Sequence, residues 1–320
     1  MKKIAFLFPG QGSQSVGMGF DLYENNNDVK KKFDMVGEIT GIDIAKLCFK
    51  GPMKDLTATV NLQPAVTVMN LACLFLLKKN GIKPDLTAGH SLGEYSALCA
   101  AVIISEADTL KLVYKRGELM HREALKNKGA MAAIIGLPIE TVSELVDQVQ
   151  GEGIVSIANH NAEKQIVITG SPEPVRKVSE LASEKRGKAI PLKVSGAWHS
   201  QLIKGAEDEF KSFMDTIRFN SGKSIVIHNV TAGFSTSSDE IKNLMSLQLC
   251  SPVRWYDTIQ KLMEEKVEIF VEVGPGKVLT GLVKKNLPRD YPRKIYSVNN
   301  MKSIEAFITD MQNSYHRPGY

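Results

Sequence analysis

The sequence predicts an α/β protein in which a mainly parallel sheet is covered by helices on both faces. Two mainly apolar runs, residues 4–8 and 267–273, predict buried strands, and the first is continuous, as is typical of a strand buried on both sides of a parallel sheet. Between these runs, strand-like and helix-like segments alternate, as the crossovers of a parallel sheet require. Residues 127–196 follow the order βαββαβ instead, which indicates a smaller second unit inserted into the first.

Length and composition describe an ordinary globular protein with room for one large and one small domain. The chain has 320 residues, of which 43% are hydrophobic and 23% are charged. Its net charge of +5 fits an acidic partner or an anionic substrate but is too small to indicate nucleic-acid binding. We expect its basic clusters to be solvated faces. The clusters are Lys185, Arg186, Lys188 and Lys193, and Lys284, Lys285, Arg289, Arg293 and Lys294.

The cysteines and the apolar segments indicate a cytoplasmic protein. The four cysteines are widely spaced and include no C-x-x-C pair, so neither a disulfide framework nor a zinc site is expected. The apolar run after Lys2 and Lys3 ends at Pro9, which is too early for a secretory signal. No segment approaches the ~20 apolar residues of a membrane span, and we therefore expect no membrane segment.

The first predicted strand, residues 4–8, leads into a glycine-rich loop at 9–19. This loop lacks the third glycine of the G-x-G-x-x-G fingerprint, and no lysine follows in the register of a P-loop. Nucleotide binding is therefore disfavoured. The alternative is a loop whose glycines allow Gln11 and main-chain N–H groups to approach a reacting centre.

Three helices are predicted before the inserted unit, apart from the one that follows the central motif described below. The first spans 28–39, and the second spans 61–79 and opens at residues 62–64, with Pro64 near its first turn. The third spans 107–126 and carries Arg116. An arginine on an amphipathic helix is usually solvated, so the spacing alone gives Arg116 no role.

The segment 127–196 is interpreted as a ferredoxin-like unit. Its predicted strands are 131–135, 154–158, 165–169 and 189–194, and its predicted helices are 139–149 and 173–185. Small residues at 127–129 and 195–197 suit domain junctions. We therefore predict a large domain formed by residues 1–126 and 197–320, with the segment 127–196 as a small domain.

The rest of the chain returns to the large domain. The predicted elements are a helix at 201–217, a strand at 224–228, helices at 239–249 and 255–266, and a strand at 267–273. A helix from Lys277, then a final strand and a final helix, complete the alternation.

The most informative motif is G-H-S-L-G at residues 89–93, which follows a predicted strand at 85–90 and precedes an apolar helix. This is the context of a nucleophile elbow, in which flanking glycines let the chain turn sharply and present the serine hydroxyl. The helix N-terminus at Ser91 would favour developing negative charge. The alternative interpretation is a serine N-cap with unrelated glycines.

A serine hydroxyl is a weak nucleophile unless a neighbour accepts its proton, so Ser91 needs a base. Among the six histidines, His199 is the best candidate because it follows the serine and lies at a predicted domain junction. His160 and His228 each end a predicted strand and stay possible. His90 should point to the opposite face of its strand from Ser91.

The third member of a hydrolase-type triad is not evident in the sequence. There is no HGGG-type oxyanion loop, and the acidic residues between Ser91 and His199 lie mostly in the small unit. His199 could also cap its helix or satisfy a carbonyl without any catalytic role. The pattern favours a Ser–His dyad that a main-chain carbonyl orients.

Eight short motifs follow one another along the chain. They are F-P-G-Q-G-S-Q at 8–14, Q-P-A at 63–65, G-H-S-L-G-E-Y at 89–95, R-G at 116–117, G-A-M-A-A at 129–133, A-W-H-S at 197–200, Gln248 with S-P-V at 251–253, and E-V-G-P-G at 272–276. In this order the motifs resemble those of the malonyl-CoA:acyl carrier protein transacylases, from residue 4 to about residue 285. The resemblance implies a hydrolase-like α/β domain with an inserted ferredoxin-like subdomain.

The same resemblance implies specific roles for residues of the elbow and its surroundings. Ser91 would form a malonyl ester, and His199 would act as its base and acid. The main-chain carbonyl of Gln248 would hold His199 in place of a carboxylate. The main-chain N–H groups of Gln11 and Leu92 would form the oxyanion hole.

The resemblance also implies an acyl-binding pocket. Arg116 would bind the free carboxylate of malonate, because the arginine fork matches a carboxylate in a bidentate manner. An uncharged acyl group would be rejected, since it would leave a buried guanidinium unpaired. Gln63 and Asn161 are looser assignments near the pocket. Family members commonly have Phe or Ser at the position of Trp198, and a large aromatic residue there suggests a small acyl group.

The implied reaction is a ping-pong transfer of malonyl from malonyl-CoA to Ser91 and then to the phosphopantetheine thiol of holo acyl carrier protein, supplying fatty acid synthesis. It involves no metal and no redox cofactor, and no nucleic acid or membrane as a partner; we expect a monomer. Three alternatives stay open. A trans-acting acyltransferase of a polyketide synthase would share every motif. Arg116 argues against an acyl-thioester hydrolase, and Ser91 with His199 argues against a carrier-binding module without activity.

Overall fold

Within residues 2–315, which the computed structural model describes, nine strands form two sheets. In chain order the strands are β1 (Lys3–Phe8), β2 (Leu86–Gly89), β3 (Ala130–Ile135), β4 (Val155–Ala162), β5 (Gln165–Gly170), β6 (Lys188–Pro191), β7 (Ile225–Ile227), β8 (Val267–Val273) and β9 (Lys294–Val298).

Fourteen α-helices accompany the strands in this part of the chain. They are α1 (Phe20–Asn25), α2 (Asn27–Thr40), α3 (Ile44–Lys50), α4 (Met53–Thr57), α5 (Thr59–Lys79), α6 (Gly93–Ala100), α7 (Glu106–Lys126), α8 (Ile139–Gln148), α9 (Pro172–Glu184), α10 (Glu207–Asp215), α11 (Ser238–Leu247), α12 (Trp255–Glu264), α13 (Val278–Asn286) and α14 (Met301–Tyr315). Two 3₁₀ helices, Gln201–Ala206 and Gln248–Cys250, lie near the site described below.

The first sheet is parallel throughout and has the strand order β7-β2-β1-β8-β9. Alternate residues of the central strand β1 enter two different cores, with Phe6 and Phe8 in one and Ala5 and Leu7 in the other. This division explains why the strand is a continuous apolar run, because both of its faces are covered. The prediction of a mainly parallel α/β sheet is confirmed.

The second sheet is antiparallel and has the order β4-β5-β3-β6. Helices α8 and α9 share one apolar core with it, in which Ile134, Leu145, Ile168 and Val178 are buried. This is the strand order that a βαββαβ unit adopts when its two outer strands flank the first and third. The predicted ferredoxin-like unit is therefore confirmed, whereas the domain boundaries at 126/127 and 196/197 stay a prediction.

Several predicted element bounds were wrong. Helix α5 begins at Thr59 rather than at residue 61, so Pro64 is its sixth residue. The predicted helix at 201–217 is a 3₁₀ turn followed by the separate helix α10. Strand β6 ends at Pro191, before the predicted end at residue 194, although the Leu192 N–H still donates to the main-chain oxygen of Met131 at 2.9 Å.

The expectation that no segment approaches a membrane span was also wrong for α5. The helix has 21 residues, and its most apolar 18-residue window has a mean hydropathy of 1.6, so it is long and apolar enough to cross a membrane. Of its most apolar window, however, 83% is buried inside the protein. Polar side chains such as Thr67 and Asn70 interrupt the apolar run in the sequence, and they are themselves fully buried. Such burial is typical of a core helix.

A close main-chain contact joins β1 to the start of α6. A Cβ atom on Gly93 would lie 1.9 Å from the carbonyl oxygen of Phe8, and a Cβ on Gly89 would lie 2.0 Å from the main-chain carbon of Gly93. No side chain fits at these distances, so both glycines are required by packing as well as by the turn. The contact sets the N-terminus of α6 against the carboxyl end of β1.

We expect Gly93→Ala to lower the free energy of unfolding by about 2–4 kcal/mol, because the added methyl group overlaps the Phe8 carbonyl. Gly281→Ala is the matched control. It lies in α13 with no atom within 4 Å of the added methyl group, and should be neutral or more stable by up to ~1 kcal/mol. Urea denaturation followed by circular dichroism measures both variants. Equal effects would contradict the role of the close contact.

Candidate active site

Ser91 lies at the sharp corner between β2 and α6. Its main chain is left-handed, with φ of 50°, and its side chain is only partly buried. The amide of the fully buried Asn229 holds both sides of this corner. Its oxygen accepts a hydrogen bond from the Ser91 N–H at 2.7 Å, and its nitrogen donates to the carbonyl of Gly89 at 2.7 Å. The serine hydroxyl is thereby presented on a fixed main chain.

His199 is in hydrogen-bonding contact with this hydroxyl. Its Nε2 lies 2.8 Å from Ser91 Oγ, and its Nδ1 lies 2.9 Å from the main-chain oxygen of Gln248. Because a carbonyl can only accept, the Nδ1 atom carries the proton and Nε2 is left as the acceptor for the serine hydroxyl. The structure thus brings together the serine, the histidine and the carbonyl that the sequence analysis grouped.

Burial lowers the pKa of His199 to about 3, and the nearby Arg116 guanidinium acts in the same direction. The hydrogen bond to the Gln248 carbonyl opposes this lowering but is the smaller influence. The ring is therefore neutral near pH 7, which leaves its Nε2 lone pair free to accept a proton.

The other candidate bases do not contact Ser91. His228 is fully buried and its Nδ1 lies 2.9 Å from Glu94 Oε1. His160 is buried and packs against the Tyr256 ring at 4.8 Å. Both rings therefore pack against residues other than Ser91, and of the three candidate bases His199 is the one that contacts the serine hydroxyl.

Strand alternation predicted that His90 points away from Ser91, and this prediction was wrong. His90 lines the same cavity as Ser91, and its Nε2 lies 2.8 Å from Asn161 Oδ1. The alternation fails because β2 ends at Gly89 and the chain turns at once. Burial lowers the pKa of His90, so this ring also favours its neutral form.

The helix pattern suggested a solvated Arg116, but this residue is only 1% exposed. Its Nη2 donates to Ser91 Oγ at 3.0 Å and to Gln248 Oε1 at 3.3 Å. Its Nε is buried without a hydrogen-bond partner, and no carboxylate of the described residues forms an ion pair with it. A buried guanidinium with free donors next to the serine can bind an anionic group.

The predicted oxyanion donors, Gln11 and Leu92, line the cavity around Ser91. Within the described residues, the main-chain N–H groups of Gln11 and Leu92 have no hydrogen-bond acceptor. Gly10 lets the two segments approach each other, since a Cβ at that position would lie 2.4 Å from the carbonyl oxygen of His90. Two unpaired N–H groups at one cavity can donate hydrogen bonds to an oxygen that becomes negatively charged.

The cavity at Ser91 has a volume of about 110 Å³ and lies between the two sheets. Met120, Met131 and Trp198 supply much of its apolar wall. A second cavity of about 460 Å³ shares some of this lining and includes Asn161 and Lys285. Gln63 does not line either cavity. It is fully buried behind Met120, to whose sulfur its Nε2 donates at 3.2 Å.

The described residues contain no group of three or more His, Cys, Asp or Glu side chains arranged to hold a metal ion. Each of the four cysteines is free, and three of them are buried. Burial raises the pKa of Cys48 and Cys250 to about 12, and that of Cys99 to about 11, which leaves these thiols protonated near pH 7.

Comparison with known proteins agrees with this geometry. A family model described as an acyl transferase domain matches residues 5–314. The chain belongs to the acyl transferase family. It is 45% identical, over 98% of both chains, to the malonyl CoA-acyl carrier protein transacylase of Bacillus subtilis (strain 168). The resemblance inferred from the motifs is confirmed.

Solved structures share the fold of this acyl transferase. FabD from Acinetobacter baumannii matches with a TM-score of 0.92 and 38% identity, over 98% of this chain and 99% of that one. A malonyl-transacylase in complex with a type II polyketide-synthase acyl carrier protein matches with a TM-score of 0.92 and 34% identity, over 96% and 99% of the chains.

Sequence reasoning missed Asn229 and Glu94, two buried residues that support the site of the acyl transferase. Asn229 comes two residues after β7, which pairs with the nucleophile strand β2. Binding and catalytic groups collect at the carboxyl ends of parallel strands, so this position could have been found from the predicted strand at 224–228. Glu94 gave a weaker signal, because a glutamate in the first turn of a helix is common.

We expect the His199 ring of the acyl transferase to stay neutral from about pH 8 to about pH 5, because its pKa is lowered to about 3. Imidazole ¹H–¹⁵N correlation spectra recorded through a pH titration measure this directly. His199→Gln assigns the signal by its loss. Protonation near the ordinary histidine pKa of 6.5 would contradict the effect of burial.

Proposed function

We propose that this protein transfers the malonyl group from malonyl-CoA to the phosphopantetheine thiol of acyl carrier protein through an ester on Ser91. One observation carries the proposal: Arg116 presents a buried guanidinium, without a carboxylate partner among the described residues, 3.0 Å from Ser91 Oγ. A neutral acyl group would leave this charge unpaired, whereas the free carboxylate of a malonyl group would pair with it.

In the first half-reaction, Ser91 Oγ attacks the thioester carbonyl of malonyl-CoA while His199 Nε2 accepts the hydroxyl proton. The N–H groups of Gln11 and Leu92 hold the oxyanion of the tetrahedral intermediate, and each such donor is worth roughly 10²–10³ in rate. The intermediate collapses with cleavage of the C–S bond. His199 then donates its proton to the departing thiolate, which leaves as coenzyme A.

In the second half-reaction, the carrier-protein thiol takes the place of coenzyme A. His199 accepts the thiol proton, and the sulfur attacks the ester carbonyl. The new tetrahedral intermediate uses the same two N–H donors. Its collapse breaks the bond between the acyl carbon and Ser91 Oγ, and His199 returns the proton to the serine oxygen. Each proton transfer is assigned to one ring nitrogen, and the proposed reaction includes no metal and no redox cofactor.

The two cavities suit the two parts of the substrate. The cavity of about 110 Å³ fits an acyl group of only a few atoms, and the buried Trp198 limits its size. The adjoining cavity of about 460 Å³ would receive the pantetheine arm of either donor or acceptor. Lys285 lies in the wall of this second cavity, which would suit an anionic or acidic partner.

We further infer that the enzyme works in the cytoplasm and supplies fatty acid synthesis, as a monomer. The four free cysteines suit a reducing compartment. A second candidate is a trans-acting acyltransferase of polyketide synthesis, because one solved relative is bound to a type II polyketide-synthase carrier protein. Transfer rates to fatty-acid and polyketide carrier proteins from one organism would distinguish the two pathways.

We expect Ser91→Ala to abolish covalent labelling by malonyl-CoA, because the variant has no oxygen to form the ester. Ser105→Ala, which removes an exposed helix-capping hydroxyl, should label fully. Intact-protein mass spectrometry measures the added malonyl mass. Persistent labelling of the first variant would exclude Ser91 as the nucleophile. Release of free malonate instead of transfer, when carrier protein is added to wild-type enzyme, would favour a hydrolase.

We expect Arg116→Ala to slow malonyl transfer roughly 10- to 100-fold while leaving transfer of uncharged acyl groups unchanged or faster, because only malonyl needs the guanidinium. Arg122→Ala is the matched control on the same helix. Its side chain pairs with Glu209 and Glu123 at the surface, and its removal should alter neither rate. Competition between malonyl-CoA and acetyl-CoA measures the ratio, and equal loss for both would contradict the proposed binding of the carboxylate.

A further inference from the structure

Glu94 is a buried carboxylate that the reaction above does not use. It is 1% exposed and lies in the first turn of α6, three residues after Ser91. Its Oε1 accepts from His228 Nδ1 at 2.9 Å and from the Asn229 N–H at 3.3 Å. Its Oε2 accepts from Gln248 Nε2 at 2.5 Å. The Asn229 N–H and the Gln248 NH₂ can only donate, so both oxygens of the carboxylate accept hydrogen bonds where they lie.

The contact with Glu94 fixes which way the Gln248 amide faces. Gln248 Nε2 donates to Glu94 and to the main-chain oxygen of Ser91 at 3.1 Å. Its Oε1 is thereby turned toward Arg116, whose Nη2 donates to it at 3.3 Å. A reversed amide would set its oxygen against a carboxylate and its NH₂ against a guanidinium, and both contacts would be repulsive.

Glu94 also contributes charge without contacting the guanidinium. Burial lowers the pKa of Arg116, while neighbouring Tyr95 and the Glu94 carboxylate act in the opposite direction and favour the charged form. A carboxylate bound directly to Arg116 would occupy the donors that a substrate carboxylate needs. With the Gln248 amide between them, only Nη2 is engaged on that side, and Nε stays without a partner.

We propose that Glu94 is a positioning residue for acyl selectivity: it orients Gln248, which in turn holds Arg116 in place for the carboxylate of the acyl group. This inference rests on the proposed function, because it assigns the guanidinium to an anionic acyl group. It adds a residue outside the cavity that determines whether charged acyl groups are preferred over neutral ones.

The test compares acylation of Ser91 by malonyl-CoA and by acetyl-CoA in Glu94→Gln, which keeps the shape of the side chain and removes its charge. A glutamine amide has one oxygen that accepts and one NH₂ group that donates, so the variant side chain can no longer accept hydrogen bonds from both Gln248 and the Asn229 N–H. If the NH₂ of the new side chain faces Gln248, the Gln248 amide must turn around to offer its oxygen. The NH₂ of Gln248 would then face the N–H donors of Arg116. We expect kcat/KM for malonyl-CoA to fall about tenfold or more, mainly through KM, and that for acetyl-CoA to change less than about threefold.

Glu272→Gln is the matched control. Glu272 is another fully buried carboxylate that accepts from the main-chain N–H groups of Leu279 and Thr280, and none of these three residues lines the cavity at Ser91. Leu279 lines the second cavity, which malonyl-CoA and acetyl-CoA would use alike. This variant should lose stability without changing the ratio of malonyl to acetyl acylation. An equal change of the ratio in both glutamine variants would reduce the role of Glu94 to general stability and overturn the proposal.

A double-mutant cycle tests whether Glu94 acts through Gln248. Gln248→Met removes the amide but keeps the main-chain carbonyl that holds His199. The ratio should fall in each single variant, and the fall in the double variant should be smaller than the product of the two single effects, because only the charge of Glu94 acts on Arg116 without Gln248. Independent, multiplied effects would overturn the proposal, as would an unchanged ratio in Glu94→Gln. Should Glu94→Gln fail to fold, Glu94→Asp replaces it, since the shorter carboxylate withdraws from Gln248 and the same loss of ratio is expected.

The wild-type protein separates this inference from the proposed function. If malonyl-CoA does not label wild-type Ser91, the proposed function fails, and this inference fails with it. If the wild type is labelled and prefers malonyl, but the Glu94 variants keep that preference, the proposed function stands and the role of Glu94 is wrong.

Discussion

Ser91 adopts a left-handed main-chain conformation that a residue with a side chain keeps only where its surroundings hold it. The Asn229 amide binds the N–H of Ser91 and the carbonyl of Gly89, and the Gln248 amide binds the carbonyl of Ser91 itself. The same corner supplies the Leu92 N–H. The contacts that fix Ser91 therefore also fix one of the two proposed oxyanion donors.

The charges around this corner are arranged in series. Glu94, the Gln248 amide and Arg116 follow one another through two hydrogen bonds, so each negative end faces a positive one. The row ends at an unpartnered Nε in the buried guanidinium. A substrate carboxylate would extend the alternation by one member. An isolated buried charge at Arg116 would be energetically unfavourable. The Glu94 carboxylate reduces this cost in part, and a substrate carboxylate would reduce it further.

The sequence was sufficient wherever a residue's role follows from a local pattern. The motif at 89–93 indicated the corner because only glycine fits beside the Phe8 carbonyl, and the apolar run of β1 indicated a doubly covered strand. Roles that depend on contacts between distant elements were not legible from spacing alone, and for His199, Gln248 and Arg116 they came only from the motif resemblance. Arg116 looked like a solvated helix residue until α7 was seen against α6, and Asn229 reaches Gly89 across 140 residues of sequence. Strand β7, which ends two residues before Asn229, has only three residues.

A carbonyl in place of a carboxylate behind His199 is suited to an anionic acyl group. An aspartate hydrogen-bonded to Nδ1 would raise the pKa of the ring and add a second buried anion close to the proposed position of the acyl carboxylate. The Gln248 carbonyl fixes the same tautomer with only a dipole. His199 therefore stays neutral, and Arg116 has no competing anion at that side of the cavity. Gln248 contacts His199 through its main chain and Arg116 through its side chain, so in the proposed reaction it would align proton transfer and acyl binding with each other.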